Sequence, residues 1–298
     1  MFLRKAKETT DPHLRSLVQK AFRRGYGTLV RQALEVLHGN GDARWIRSRA
    51  AVLAAEECWS MLSNLPLKAT PSSRINWISS LATKSKFKDA AGLGTLAYVA
   101  SNDDLSVYGG TEDDRAIRVL AAALKRPNDY WAWALKEAES IGCHETVRKL
   151  QSFVAWPTWP WDKAFVFAVA FLTIHNKSVI VTSIDEPKAD FPYWVAIDKH
   201  TAEGKAALRA AAKVVGCSYR QINWVSYYLE SAQVNALGAS PWWIKEQNWR
   251  LRKVGLSVSE AQDLWKKARE IVSVEVTQVA AILKQKIESR LITTLELQ

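Results

Sequence analysis

Trp45-Ile46-Arg47-Ser48-Arg49-Ala50-Ala51-Val52-Leu53-Ala54-Ala55-Glu56-Glu57 reads as a helix that carries charge on its apolar side. At about 100° per residue, Trp45, Arg49, Val52, Glu56 and Trp59 share one face, so a guanidinium and a carboxylate lie in a stripe with two indoles. Buried charges persist only when paired and hydrogen-bonded. Arg49 and Glu56 are therefore expected to form a structural ion pair through intervening groups, or to reach neighbouring helices or a second subunit. Gly41-Asp42 supplies a turn and an N-cap for the helix start.

Helical periodicity continues on both sides. His13 to Phe22 and Thr28 to Leu37 precede the segment; helices after Pro71, over Ala90 to Ala100 and over Asp113 to Leu124 follow it. Trp156-Pro157-Thr158-Trp159-Pro160-Trp161 breaks the pattern, because two prolines prevent a continuous helix and three indoles demand burial. Beyond it, Ala164 to Ile174 is an apolar run too short to cross a bilayer and reads as a fully buried helix. Ser178 to Ile184 and Tyr193 to Ile197 are β-branched and aromatic, the makings of a small hairpin. Ala202 to Val215 and Ser259 to Leu295 return to helix, the latter packing through Leu264, Trp265, Ala268, Ile271 and Val272. The expected fold is mainly α and multi-helical, two packed helical units over residues 1–155 and 162–298 with a small β-hairpin.

Ile46, Arg49, Leu53, Ala54, Ala55, Glu56 and Glu57 place an arginine ahead of small residues and an acidic pair. In this the segment resembles the C-terminal helical region of the RarA/MgsA family of clamp-loader-like AAA+ ATPases, over Leu29 to Leu135, although Trp59 departs from that pattern. The resemblance implies that residues 1–155 form a collar-like domain that mediates oligomerisation, with itself or with an AAA+ ATPase partner, in a replication or repair setting. It does not imply that this chain hydrolyses ATP. A phosphate-cradling loop needs G-x-x-x-x-G-K-[ST], and the nearest string, Asp198 to Ala206, lacks the first glycine and the hydroxyl. It reads instead as Thr201 capping a helix with Gly204-Lys205 in its first turn. Gly92-Leu93-Gly94 lacks the third glycine of a dinucleotide fingerprint and reads as part of a tightly packed small-residue helix.

A hydrophobic fraction of 48% excludes general disorder, and 14 tryptophans against 2 methionines point to large indole contributions to packing. Cys58, Cys143 and Cys217 are too scattered for a disulfide framework or zinc cluster, which fits a reduced, cytoplasmic setting. The five histidines show no ligand spacing, and Asp103, Asp104, Asp113 and Asp114 sit at helix edges where carboxylates cap amides. Met1-Phe2-Leu3-Arg4-Lys5 leads into polar sequence rather than a secretory core. No metal, cofactor or membrane partner is expected, and no acid, base and nucleophile set with recognisable spacing marks an enzyme.

Charge is placed unevenly. Residues 1–49 hold 11 Lys/Arg against 4 Asp/Glu, residues 50–198 hold 15 against 17, and residues 199–298 hold 15 against 9, so the net +11 belongs to the two ends. A phosphate-bearing polymer would meet those ends. Arg23-Arg24-Gly25-Tyr26-Gly27 offers guanidiniums and a ring, or simply a basic helix C-terminus capped by Gly25. Lys205, Arg209 and Lys213 line one helical face at i, i+4 and i+8, either a DNA-backbone surface or a solubilising one. Cys217 to Trp224 then adds a turn and second helix with a faint helix-turn-helix character. Trp242, Trp243, Trp249, Arg250, Arg252 and Lys253 make the densest aromatic and basic cluster, suited to nucleic acid or to a subunit interface. Lys84, Lys86 and Lys88 read as a solvated connection. Together these features point to a non-catalytic DNA-binding protein of replication or repair; the alternative is an assembly or scaffold protein that binds no nucleic acid.

Overall fold

The computed structural model describes residues 11–109, 114–175 and 178–296, with side chains to residue 289; Met1 to Lys5 and Asp113 lie outside the described residues. The described chain is mainly α-helical and multi-helical. In order the helices are α1 (Pro12–Arg23), α2 (Gly27–Gly39), α3 (Ala43–Glu57), α4 (Pro71–Ala82), α5 (Asp89–Ser101), α6 (Asp114–Lys125) and α7 (Pro127–Ser140). They continue as α8 (His144–Phe153), α9 (Pro160–Ile174), α10 (Ala202–Val215), α11 (Tyr219–Ser226), α12 (Pro241–Arg252) and α13 (Val258–Glu296). Proline opens α1, α4, α7, α9 and α12, where its missing N–H has no intrahelical partner to lose. Among the described residues, extended pairing is limited to isolated bridges.

α3 is the central helix. Every residue from Ala50 to Glu57 is buried, and the helix packs on α2, α4, α5 and α9. Its start differs from expectation: Asp42 makes no cap hydrogen bond and instead accepts two from Arg15, at 2.6 and 3.0 Å. A bidentate guanidinium offers the carboxylate more than one helix amide would.

α5 is packed on all sides, as its alanine and glycine content foretells. A Cβ on Gly92 would lie 2.3 Å from the backbone of Trp242, and one on Gly94 would lie 2.9 Å from the Phe165 ring. The two glycines let α12 and α9 close on α5 from different directions. Because α12 and α9 belong to 162–298 and α5 to 1–155, the two expected units share one continuous hydrophobic core. Trp156 to Trp161 forms a corner within it: Trp156 packs edge-on against Phe153, Trp161 donates to Thr95 at 3.3 Å, and Trp159 alone is exposed.

The connection after α4 corrects two expectations. Residues 83–88 thread through the molecule with backbone bonds to three separate segments: Ser85 to Thr182, Lys86 to Ala236, and Phe87 to Glu57. Lys86 and Lys88 are fully buried rather than solvated. The Lys86 ammonium donates to the carbonyls of Ala82 and Lys84, and Lys88 donates to the carbonyl of Ala232 at 3.2 Å. The 178–184 and 193–197 hairpin does not form either. Ser183 bridges Lys84, while Tyr193–Ala196 is a 3₁₀ turn packed on α1 and α13. The β-branched run finds its hydrogen bonds at 83–85, so a hairpin partner is not needed.

Candidate nucleic-acid interface

α10 is well delimited. Thr201 accepts from the Gly204 amide at its start, and Gly216, with φ +73°, closes it in the left-handed conformation that glycine adopts without strain. Between those ends, Gly204, Ala207, Leu208, Ala211 and Ala212 face the core, and Lys205, Arg209 and Lys213 stand exposed on the opposite side. None of the three cations makes an ion pair with a described residue. The Arg209 guanidinium lies 5.2 Å from the centre of the Tyr219 ring, the first residue of α11. Ser218 and Gln221 form a capping box there, which places Arg220 in an exposed first turn. The Gln221 side chain donates to the Val254 carbonyl at 3.2 Å, bringing the end of α12, with exposed Arg252 and Lys253, against the same helix start. Lys253 pairs with Asp104 at 3.1 Å, whereas Arg252 pairs with no described residue.

Arg209 and Arg220 thus lie at one helix start, and Arg252 lies two residues before the carbonyl that this start binds. Arg220 was not singled out from the sequence, although the S-x-x-Q pattern of the capping box gives its position. α11 itself is no free recognition helix: Ile222 and Val225 are buried and Trp224 stacks on Tyr228. The helix-turn-helix connectivity is therefore present without an open reading face.

The remaining candidates lie inside. Arg23 is buried and its guanidinium is divided between Glu56 at 2.7 Å, Glu57, and the Ser231 carbonyl at 3.0 Å. Arg24 holds Glu230 at 2.8 Å and its backbone carbonyl at 2.6 Å. Neither reaches a phosphate. Of the alternatives for Arg49 and Glu56, the structure shows the reach to neighbouring helices: Glu56 binds Arg23 of α1, and Arg49 lies 3.8 Å from Asp162 of α9. Trp243 and Trp249 are buried: the Lys88 ammonium sits 3.9 Å above Trp243, and Trp249 donates to Ser106 at 3.0 Å. Arg250 is enclosed by the faces of Trp224 and Trp249, at 4.4 and 4.2 Å, and lies 3.6 Å from Glu246. Trp242 is half-buried and remains accessible.

Among these interior groups, Arg23, Glu56, Glu57 and Lys88 form one ionic network. Burial alone would weaken the hold of Arg23 on its proton, but Glu56 and Glu57 outweigh it and raise the group above its ordinary value. Burial pushes Glu56 up, whereas for Glu57 the nearby Lys88 and Arg23 overcome burial and hold the carboxyl below its usual range. Burial likewise raises Glu246, which accepts from the Tyr228 hydroxyl at 2.5 Å. Such shifts arise from structural networks as readily as from catalytic ones. Among the described residues, no group of three or more His, Cys, Asp or Glu side chains converges as a metal site would require, and no helix is long and apolar enough to cross a membrane. No protein-family model, curated protein or solved structure matches this chain.

Proposed function

We propose that this chain is a non-catalytic DNA-binding protein that meets the phosphate backbone with α10 and the adjoining ends of α11 and α12. The observation that supports this most directly is the row of Lys205, Arg209 and Lys213, exposed and without ion-pair partners among the described residues. Arg220 and Arg252 extend it. A solubilising surface needs no such alignment, whereas a polyanion rewards it by releasing its counterions. The replication or repair setting, and assembly with itself or with an AAA+ ATPase, rest on the resemblance carried by α3. Because Ala50 to Glu57 of α3, including the acidic pair, are buried, any such assembly would use the exposed start of α3 or the outer helices instead.

Salt-dependent binding tests the proposal. Fluorescence anisotropy with a labelled 20-base-pair duplex should show affinity falling steeply as salt rises. Changing Lys205, Arg209 and Lys213 together to alanine should lower the slope of log affinity against log salt by about 2 to 3. The same variant should unfold within about 0.5 kcal/mol of the parent, as exposed substitutions do. A slope that the triple substitution leaves intact would remove α10 from the interface.

A further inference from the structure

An open cleft of about 820 Å³ lies on another part of the molecule, between α6, the start of α7, the end of α9 and the start of α12. One wall is the small-residue face of α6, with Ala116, Val119, Ala122 and Ala123; the other is aromatic, with Tyr130, Trp133, Phe171 and Trp242. The volume falls in the range of ligand clefts, roughly 300 to 1,000 Å³. Its polar groups are few. Arg115 and Arg126 stand at the two ends of the α6 wall, exposed and without ion-pair partners among the described residues. At 1.5 Å per residue they are about 16 Å apart along the helix. Asp129 is the one carboxylate, placed in the first turn of α7, where it complements the helix dipole.

The aromatic wall is held in position by its own hydrogen bonds. Tyr130 spends its hydroxyl on the Phe167 carbonyl at 2.9 Å, which fixes the ring. His175 stacks on Phe171 at 4.0 Å, and its Nδ1 lies 2.9 Å from the Phe171 carbonyl oxygen. A carbonyl can only accept, so Nδ1 carries the proton and Nε2 is left to meet a ligand. Aromatic rings along one wall of an open cleft, with a guanidinium at each end of the other, suit planar bases joined by phosphates.

We infer that this cleft binds an unstacked single strand, with bases against Trp133 and Trp242 and phosphates at Arg115 and Arg126. The inference rests on the DNA-binding reading above and adds the strand form. A paired duplex buries its base faces and offers nothing to the aromatic wall. A purely apolar partner helix would use the apolar wall but bring no counter-charges to the two guanidiniums, whereas a single strand brings both rings and phosphates and is the better match.

Two variants act on the cleft without entering the core: Ala122→Trp, at an exposed position of the α6 wall, fills it, and the double substitution Arg115→Glu with Arg126→Glu reverses its charge. Each is compared with the parent and with the α10 triple-alanine variant, using labelled oligo-dT of 20 nucleotides and the 20-base-pair duplex. Both cleft variants should weaken oligo-dT binding about tenfold or more and leave duplex binding unchanged, while the α10 variant weakens duplex binding. Full retention of oligo-dT affinity by both cleft variants would overturn the inference and leave the DNA-binding reading standing. A parent chain that binds neither probe would overturn both. Competition by free thymidine monophosphate at the affinity of oligo-dT would replace the strand with a mononucleotide, and would overturn the inference in that form.

Discussion

Arg23 and Lys88 on one side, and Lys205, Arg209 and Lys213 on the other, are the same functional groups under opposite conditions. The first pair is buried with Glu56 and Glu57; the second set lines the outside of α10 without ion-pair partners among the described residues. Burial exacts a desolvation cost that only close opposite charge and carbonyl oxygens offset. Exposure leaves the cation hydrated and ready to exchange water for a phosphate. Interior cations therefore hold the fold together and are unavailable to a ligand, while exterior ones contribute little to stability and are available. The contrast can be broken by single substitutions.

Arg23→Met should show the largest effect. It removes the group shared by Glu56 and Glu57 and leaves two adjacent carboxylates in the core with only Lys88 beside them. The expected loss is about 3 to 5 kcal/mol in urea unfolding. If the folded variant lost less than about 1 kcal/mol and instead lost DNA affinity, Arg23 would belong with the α10 set. Lys88→Met should cost less, about 2 kcal/mol, because Glu57 keeps its bond to Arg23 and the thioether can occupy the space above Trp243. Unfolding of the two variants side by side checks the order; a larger loss for Lys88→Met would make Lys88 the principal partner of Glu57.

Periodicity reveals where many of the helices lie, though not α7, α8 or α12. α9 is apolar on every side and α5 is rich in small residues, so both are legible as buried helices, and the buried stripe of α13 from Ala261 through Trp265, Ala268 and Val272 follows its spacing. The side of the surface on which a charge falls is not legible in the same way. Lys84, Lys86 and Lys88 look like a solvated run because what buries the last two is remote in the chain: Lys88 finds the Ala232 carbonyl and the Glu57 carboxylate, and the Lys86 backbone pairs with Ala236 while its ammonium turns back to the nearby Ala82 and Lys84 carbonyls. The densest basic and aromatic cluster, at Trp242 to Lys253, is split for the same reason: Trp243 and Trp249 turn inward over Lys88 and Arg250, whereas Trp242, Arg252 and Lys253 stay accessible. The α10 row was legible because an amphipathic helix has only one buried side, and alanines already occupied it.

The smallest effect concerns pH. Burial pulls the Lys20 ammonium down to about 8, with Asp198 at 3.2 Å opposing, and burial brings Lys199 to about 8 as well. Below pH 8 both lysines are protonated in the folded and unfolded chain alike, and the folded chain bears the full cost of enclosing them. Between about 8 and the ordinary 10.5, the folded chain releases protons that the unfolded chain still holds. Stability should therefore rise with pH, by at most about 1.4 kcal/mol per unit for each lysine. Cys58 works the other way above pH 9, because burial raises its thiol to about 12 and the unfolded chain ionises first. The informative window is thus pH 8 to 9. Urea midpoints of the parent should increase across it, and Lys20→Met should flatten that increase, whereas Lys205→Met on the exposed row should leave it as it is. Equal slopes in all three proteins would mean that Lys20 is not dehydrated in the folded state, and the division between interior and exterior cations would then begin at Arg23 rather than at Lys20.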